Sequence, residues 1–216
     1  MRIVLFGATG NVGSRVAAEA LRRGHEVIGV VRDPAAVRSP DPRVTLVKGD
    51  ATDAKSIAGI VRGADAVVSA ISPRPNARGM AAPSLVKNAR ALIAGLREAG
   101  VKRVLYVGGA SSLEVAPGKQ LLDQPGFPEA YRDEALQGRE ALAVWRGEAR
   151  GLDWTYLSPA IEIGPGERTG RYRTTLETML FDDQERSFIS FEDFAVAILD
   201  ELEEPRNIGR RFGVAH

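Results

Sequence analysis

VLFGATGNVGSRV, residues Val4 to Val16, is a short apolar run that halts at Gly7 and then meets Gly10 and Gly13 at equal steps of three. A run of this length reads as a buried strand, and the apolar spacing from Val12 onward reads as a helix, so the glycines occupy a strand-to-helix turn. Strand, glycine-rich turn, helix and second strand within about thirty residues is the context in which this spacing binds a dinucleotide. Each glycine then has a physical task. Gly7 permits the tight turn, Gly10 lets backbone approach a pyrophosphate, and Gly13 allows the helix to pack close while its free N–H groups, beginning at Asn11 and Val12, face the anion. Thr9 and Asn11 are candidate hydrogen-bonding partners of phosphate, with a plain turn role the alternative for Asn11. A glycine-rich turn without a ligand is the competing reading of the stretch.

Outward from that turn, apolar runs rich in valine and isoleucine recur at Arg2 to Phe6, Val27 to Val31, Val44 to Val47, Ala66 to Ala70, Arg103 to Val107 and Trp154 to Leu157. They read as parallel strands buried on both faces. Apolar residues at helical spacing predict helices over Val12 to Arg23, Ser56 to Val61, Leu85 to Ala99 and Glu134 to Ala149, each closed near a glycine at 24, 63, 100 or 151. The alternation specifies an α/β fold: a doubly wound parallel sheet whose ligand crevice lies off the carboxyl ends of its strands.

After Ser158 the pattern turns loop-rich, with one amphipathic helix, Phe191 to Glu203, and a last strand near Arg211 to Val214. Residues 1–158 read as the nucleotide-binding core and 159–216 as a small substrate-side cap within the same compact unit. Ser190 followed by Asp193 predicts a capping box at that helix start, and Pro205 ends the helix. Ser72 to Pro83 and Ser111 to Pro128 lack regular patterning and follow the fourth and fifth strands, where substrate loops belong.

Composition narrows the function classes. Over 216 residues, 29 Lys and Arg balance 28 Asp and Glu, so no net field draws the chain to nucleic acid or an anionic membrane. Cysteine is absent, which removes disulfides, thiolate metal sites and cysteine nucleophiles, and His25 and His216 are too far apart in sequence to suggest a zinc cluster. No metal is expected. No apolar run nears the roughly 20 residues that span a bilayer, and no signal-peptide pattern opens the chain. The expectation is a cytoplasmic protein, monomer or homodimer, acting on a small molecule.

The second strand ends VIGVVRDP, at the point where a dinucleotide's adenosine ribose lies. A carboxylate there accepts from the 2′-hydroxyl of NAD, whereas an arginine pairs with the 2′-phosphate of NADP. Arg32 occupies the place, with Asp33 next to it, which predicts NADP, and Arg15 on the first helical turn is a second candidate partner. NAD held by Asp33, with Arg32 merely solvated, is the alternative. In KGDATD, Asp50 ends the third strand and either meets the adenine amino group or yields that place to a helix start at Thr52 or Asp53.

Gly-x-x-Gly-x-x-Gly, the arginine after the second strand, GDATD, DAVVSAIS and LSPA together resemble the atypical short-chain dehydrogenase/reductases. VGGASSLEVAPG, PGERTGRY and ISFEDFAVAILDELEEP are similar to the bacterial NAD(P)H-flavin reductase group, related to biliverdin reductase B and NmrA-like proteins. The resemblance covers nearly the whole chain. It implies a Rossmann-type fold and NADP binding by Gly7, Gly10, Gly13 and Arg32, with nicotinamide contacts from Ser69, Ala70, Ile71 and Ser72 and from Ser158, Pro159 and Ala160. Thr9, Asn11, Val12, Asp50 and Ala51 complete the candidate cofactor set.

Catalytic members of that superfamily pair a tyrosine with a lysine four residues on, beside a serine after the fifth strand. Here Tyr131 is followed at that spacing by Ala135, and without a nearby cation a tyrosine stays near its reference pKa of about 10. Tyr131 therefore reads as a packing or helix-start residue before a catalytic one. Ser111 and Ser112 fall one or two places beyond the family serine, and Ser111 is the candidate to hydrogen-bond a substrate oxygen, against a turn-capping role. Arg74, Arg78 and Lys119 in the long loops are candidate clamps for an anionic substrate, Glu162 faces either the nicotinamide or a turn, and Arg168 and Arg171 are candidates to close the site from the cap. An NADPH-dependent reductase of a flavin, quinone or tetrapyrrole is the first reading, because such acceptors take hydride without a strong protein acid. A non-catalytic NADP-binding regulator with a protein partner is the second. A sugar-nucleotide epimerase or dehydratase is disfavoured by the missing pair.

Overall fold

In chain order the computed structural model, which describes residues 1–38, 41–73 and 83–216, forms β1 (Arg2–Phe6), α1 (Asn11–Arg22), β2 (Glu26–Val31), β3 (Val44–Lys48), α2 (Ala54–Val61), β4 (Ala66–Ser69), α3 (Leu85–Ala99) and β5 (Arg103–Val107). There follow β6 (Glu114–Ala116), β7 (Lys119–Gln120), α4 (Arg132–Glu148), β8 (Asp153–Ser158), β9 (Glu162–Gly164), β10 (Arg173–Thr175), β11 (Phe188–Ser190), α5 (Phe191–Glu203) and β12 (Arg210–Ala215). Eight strands make one sheet in the order β10-β12-β8-β5-β4-β1-β2-β3. All its pairs are parallel except β10 with β12. The order reverses between β1 and β4, and a doubly wound sheet opens its ligand crevice at such a switch.

The apolar runs become central strands because both faces are covered. On one face α2, α3 and α4 bury Val4, Phe6, Val67, Val104 and Tyr156. On the other, α1 and α5 bury Ile3, Leu5, Val68, Leu105 and Phe212. Helix ends follow local chemistry. Asp53 accepts from the Lys55 N–H and starts α2 two residues before the predicted Ser56. Gly100, at φ +74°, closes α3 by donating to the Leu96 and Arg97 carbonyls.

The segment after Ser158 joins the sheet: β12 pairs with β8, β10 adds an antiparallel edge, and α5 packs against α1. The predicted loop 111–128 carries the β6–β7 hairpin and a single 3-10 turn, Leu121–Asp123; strands this short show no periodicity to read. The predicted capping box is half formed. Ser190 Oγ accepts from the Asp193 N–H at 2.9 Å, but the Asp193 carboxylate does not return to Ser190. It accepts instead from the Thr169 and Gly170 N–H groups and the Thr169 hydroxyl, and the Ser190 N–H donates to His216 Nε2. Long-range donors win because the 165–172 loop lies across the start of α5.

A second carboxylate fastens that loop to α1. Glu19, buried on α1, accepts both guanidinium arms of Arg168 at 2.8 and 2.9 Å, together with Arg22 and Arg23. Burial pushes its pKa up, and the hydrogen bonds from Arg168, Arg22 and Arg23 outweigh that push and hold the carboxyl well below the usual carboxylate range. The stabilisation is therefore fully present above the unfolded-state pKa and is lost as pH falls from there through the lowered folded-state pKa. With Arg22 and Arg168 partly exposed, Glu19→Gln is expected to lower the unfolding free energy by about 2 kcal/mol at pH 7. The gap from the wild-type protein begins to narrow below about pH 4 and shrinks further as pH approaches the lowered folded-state pKa. Urea denaturation of both proteins at pH 7 and pH 3 checks it, and a pH-independent gap would assign the effect to packing instead of charge.

Candidate functional site

Gly7 takes φ +82°, and a Cβ there would lie 2.5 Å from the Ala70 carbonyl oxygen at the end of β4. A Cβ on Gly13 would stand 2.1 Å from the Gly7 carbonyl oxygen. Only bare backbone fits between the β1 turn, the β4 end and the first turn of α1. Gly10 donates its N–H to Gly7 O at 3.0 Å and is the N-cap of α1, with no side chain to close it. The first intrahelical bond runs from the Ser14 N–H to Gly10 O, which leaves the Asn11, Val12 and Gly13 N–H groups directed out of the helix end with no acidic residue in the first turn. Thr9, Gly10 and Asn11 are exposed at this rim. Backbone donors, a positive helix end and an exposed turn free of bulky side chains suit a pyrophosphate, so the residues present fit a dinucleotide.

At the tip of β2, Arg32 is exposed. The Asp33 carboxylate accepts from the Ala35 N–H at 3.2 Å and caps the 3-10 turn Pro34–Ala36. Asp50 Oδ1 accepts from the Thr52 N–H and hydroxyl, each at 2.8 Å. These two bonds, the backbone one foremost, hold its pKa below the ordinary value, and the charges of Lys87 and Arg32 add to the effect. One Asp50 oxygen is thus spent on a local turn. The helix-start role belongs to Asp53. Arg15, the second candidate for a 2′-phosphate, is drawn to the cap instead: its Nε donates to Glu192 at 3.1 Å and its guanidinium lies 5.6 Å from the centroid of the Phe191 ring.

Of the side chains expected at the nicotinamide end, Ser69 is turned into the interior and Ser158 is buried. Ser69 is fully buried and its hydroxyl donates to Asn88 Oδ1 at 3.1 Å. Asn88 Nδ2 in turn donates to the Ala51 carbonyl at 2.6 Å. Ser158, Pro159 and Ala160 are buried as well, and the Ser158 hydroxyl has no hydrogen-bond partner among the described residues. Ala70 and Ile71 are half-buried. Asn88 is the residue that sequence reading passed over. Within an apolar helix it looks like one polar residue on a solvated face, whereas it is wholly buried and ties the ends of β3 and β4 together through Ala51 and Ser69.

Tyr131 is 51% exposed at the N-cap of α4, and Ala135 four residues on is buried. The helix-start reading fits this placement and the packing one does not. Ser111 is half-buried in the loop after β5, with its hydroxyl 3.5 Å from the Ala135 carbonyl oxygen. Lys119 is exposed on β7 and Glu162 on β9. Arg168 is committed to Glu19 and does not close the site. Arg171 lines an open hollow of about 640 Å³ with Tyr172, Arg173 and His216 on the cap. Arg74 and Arg78 lie outside the described residues. No group of three or more His, Cys, Asp or Glu able to hold a metal occurs among the described residues, and no described helix is long and apolar enough to cross a membrane.

Comparison with known proteins agrees with this geometry. The NAD(P)H-binding family matches residues 7–205. The chain is 36% identical to the Bacillus subtilis protein YwnB over 99% of its own length and 98% of that relative. Among solved structures, a candidate exported protein from Burkholderia pseudomallei is 47% identical, with a TM-score of 0.89 and both chains covered in full. A candidate NADH-flavin reductase from Streptococcus pneumoniae is 30% identical, with a TM-score of 0.86 over 100% of this chain and 99% of the other.

Replacing Asn88 by alanine leaves the Ser69 hydroxyl and the Ala51 carbonyl unpaired in the interior, an expected cost of about 1–3 kcal/mol. Because both groups border the crevice, affinity for a nicotinamide dinucleotide is expected to fall with it. Thermal unfolding with and without NADPH measures both. An unchanged melting temperature would show that the tie is dispensable.

Proposed function

The chain belongs to the NAD(P)H-binding family, and from that premise we propose that it is an NADPH-dependent reductase passing hydride to a planar acceptor of the flavin, quinone or tetrapyrrole type. The observation that carries the choice of cofactor is the tip of β2. The Asp33 carboxylate is occupied with the Ala35 N–H, while Arg32 stands exposed and ready to pair with a 2′-phosphate through its planar fork. The uncapped start of α1 holds the pyrophosphate, and the ends of β4 and β8 meet the nicotinamide through backbone.

When bound, the reduced nicotinamide supplies the hydride. The chain's part is to bind, orient and position, for its residues include no tyrosine and lysine pair at the superfamily spacing: Tyr131 is exposed and Ala135 stands where the lysine would be. Acceptors whose own ring system delocalises the incoming charge can take their proton from solvent, and the flavin-reductase description of the S. pneumoniae relative supports this class. Ser111, whose hydroxyl donates to Ala135 O over a long 3.5 Å, redirects that weak bond to an acceptor oxygen at little cost. The same missing pair favours a second reading, a non-catalytic NADP(H)-binding regulator that acts through a protein partner.

Fluorescence titration is expected to give tighter binding of NADPH than of NADH. Arg32→Ala is expected to weaken NADPH about ten-fold, or about 1.4 kcal/mol, with little effect on NADH. Equal affinities untouched by the substitution would overturn the NADP preference. NADPH oxidation that requires both enzyme and an added flavin, quinone or tetrapyrrole supports the reductase. Tight binding of both cofactor redox states without turnover on any of them would favour the regulator.

A further inference from the structure

The loop that follows β5, residues 108–112, rests on two large polar side chains buried beneath it. Tyr156, in the middle of β8, is fully buried and stacks on Tyr106 with ring centroids 5.5 Å apart. Its ring lies so close under Gly108 that a Cβ there would be 1.9 Å from Tyr156 Cε1 and 2.5 Å from the hydroxyl oxygen. The hydroxyl donates to the Gly138 carbonyl of α4 at 2.9 Å. Arg211 on β12 is in register with Tyr156 and only 1% exposed. One arm of its guanidinium donates to the Ser112 hydroxyl at 2.9 Å. The other pairs with Glu177, which Arg146 of α4 also holds. The loop is further pinned by the Gly108 N–H to Leu157 O at 2.8 Å and by the Leu122 N–H to Ser111 O at 2.8 Å. Of the two serines, Ser112 is thus consumed as an anchor, and Ser111 beside it keeps its hydroxyl nearly free.

Burying an arginine and a tyrosine hydroxyl costs desolvation free energy that apolar side chains would not incur. Their placement is tied to one short loop at the carboxyl edge of the sheet: Arg211 spends a hydrogen bond on Ser112, and the Tyr156 ring, held from below by Gly138 of α4, lies directly beneath Gly108. We propose that Tyr156 and Arg211 are positioning residues for the hydride acceptor, fixing the 108–112 loop so that the Ser111 hydroxyl and the adjoining glycine backbone present a rigid face to it. This inference rests on the reductase reading. Neither residue touches the cofactor cradle built by β1, α1 and the tip of β2, so their effect is confined to the acceptor.

The test is a double-mutant cycle between Tyr156→Phe, which keeps the ring and removes one oxygen, and Ser111→Ala, with Ser112→Ala as an independent cut of the Arg211 anchor. In steady-state kinetics with NADPH and the best acceptor of the flavin, quinone and tetrapyrrole panel, Tyr156→Phe and Ser112→Ala are each expected to lower kcat/KM for the acceptor about ten-fold. The KM and titrated affinity for NADPH should stay within about two-fold. In the Ser111→Ala background the Tyr156→Phe effect is expected to shrink below about two-fold, since a residue that acts through another loses its effect when that other is gone. Additive effects, or equal losses for NADPH and acceptor, would make the two side chains merely structural and overturn the proposal. Wild-type turnover with unimpaired variants would overturn it alone. A wild-type protein that turns over no acceptor would overturn the reductase reading and this inference with it.

Discussion

In the turn after β1 the backbone of three elements meets with no room for a side chain: a Cβ on Gly13 would lie 2.1 Å from the Gly7 carbonyl oxygen, and one on Gly7 would lie 2.5 Å from that of Ala70. Because β1 and β4 are neighbours at the point where strand order reverses, this contact sets how close the two halves of the sheet bring their carboxyl ends. It also aims α1, whose unsatisfied first N–H groups become the anion site only because the helix starts this near the strand. The cradle for a dinucleotide is thus a consequence of backbone packing, and side chains enter only at its margins.

Those margins are held by buried polar groups spent on neighbouring segments. Asn88 bridges the Ser69 hydroxyl and the Ala51 carbonyl behind the ends of β3 and β4. Arg211 holds Ser112 of the loop after β5, and Tyr156 ties β8 to α4 beneath it. Glu19 and Asp193 fasten the 165–172 loop to α1 and α5. In each case a hydrogen-bonding group has been taken from water and requires partners to offset that cost, a requirement met by all of them but Arg211 Nε, which has no partner among the described residues. The requirement makes the loops around the crevice well-defined platforms, although they carry little regular secondary structure.

The central strands and the main helices were legible from apolar periodicity, since a strand buried on both faces and an amphipathic helix write different patterns into the chain. Leu85–Ala99 and Phe191–Glu203 fall where that pattern predicts them. The glycine cradle was legible too, because each glycine has a steric task that no other residue performs. What escaped were elements of two or three residues, β6, β7, β9, β10 and β11, too short to show a period, and side-chain destinations set by segments remote in sequence. Arg15 went to Glu192, Arg168 to Glu19, the Asp193 carboxylate to Thr169 and Gly170, and the Ser69 hydroxyl to Asn88.

By itself the sequence determined the doubly wound sheet and the side-chain-free glycine turn between β1 and α1, because burial periodicity and glycine sterics are local properties that neighbouring residues impose on one another. Tertiary structure alone decided which polar side chains remain available at the crevice. A carboxylate or guanidinium on a short stretch of chain has many partners within reach, and only the packing of α5 against α1 and of β12 against β8 selects among them. Arg32 stayed exposed, Arg15 and Arg168 were taken up by carboxylates of remote segments, and Ser112 was claimed by an arginine 99 residues away.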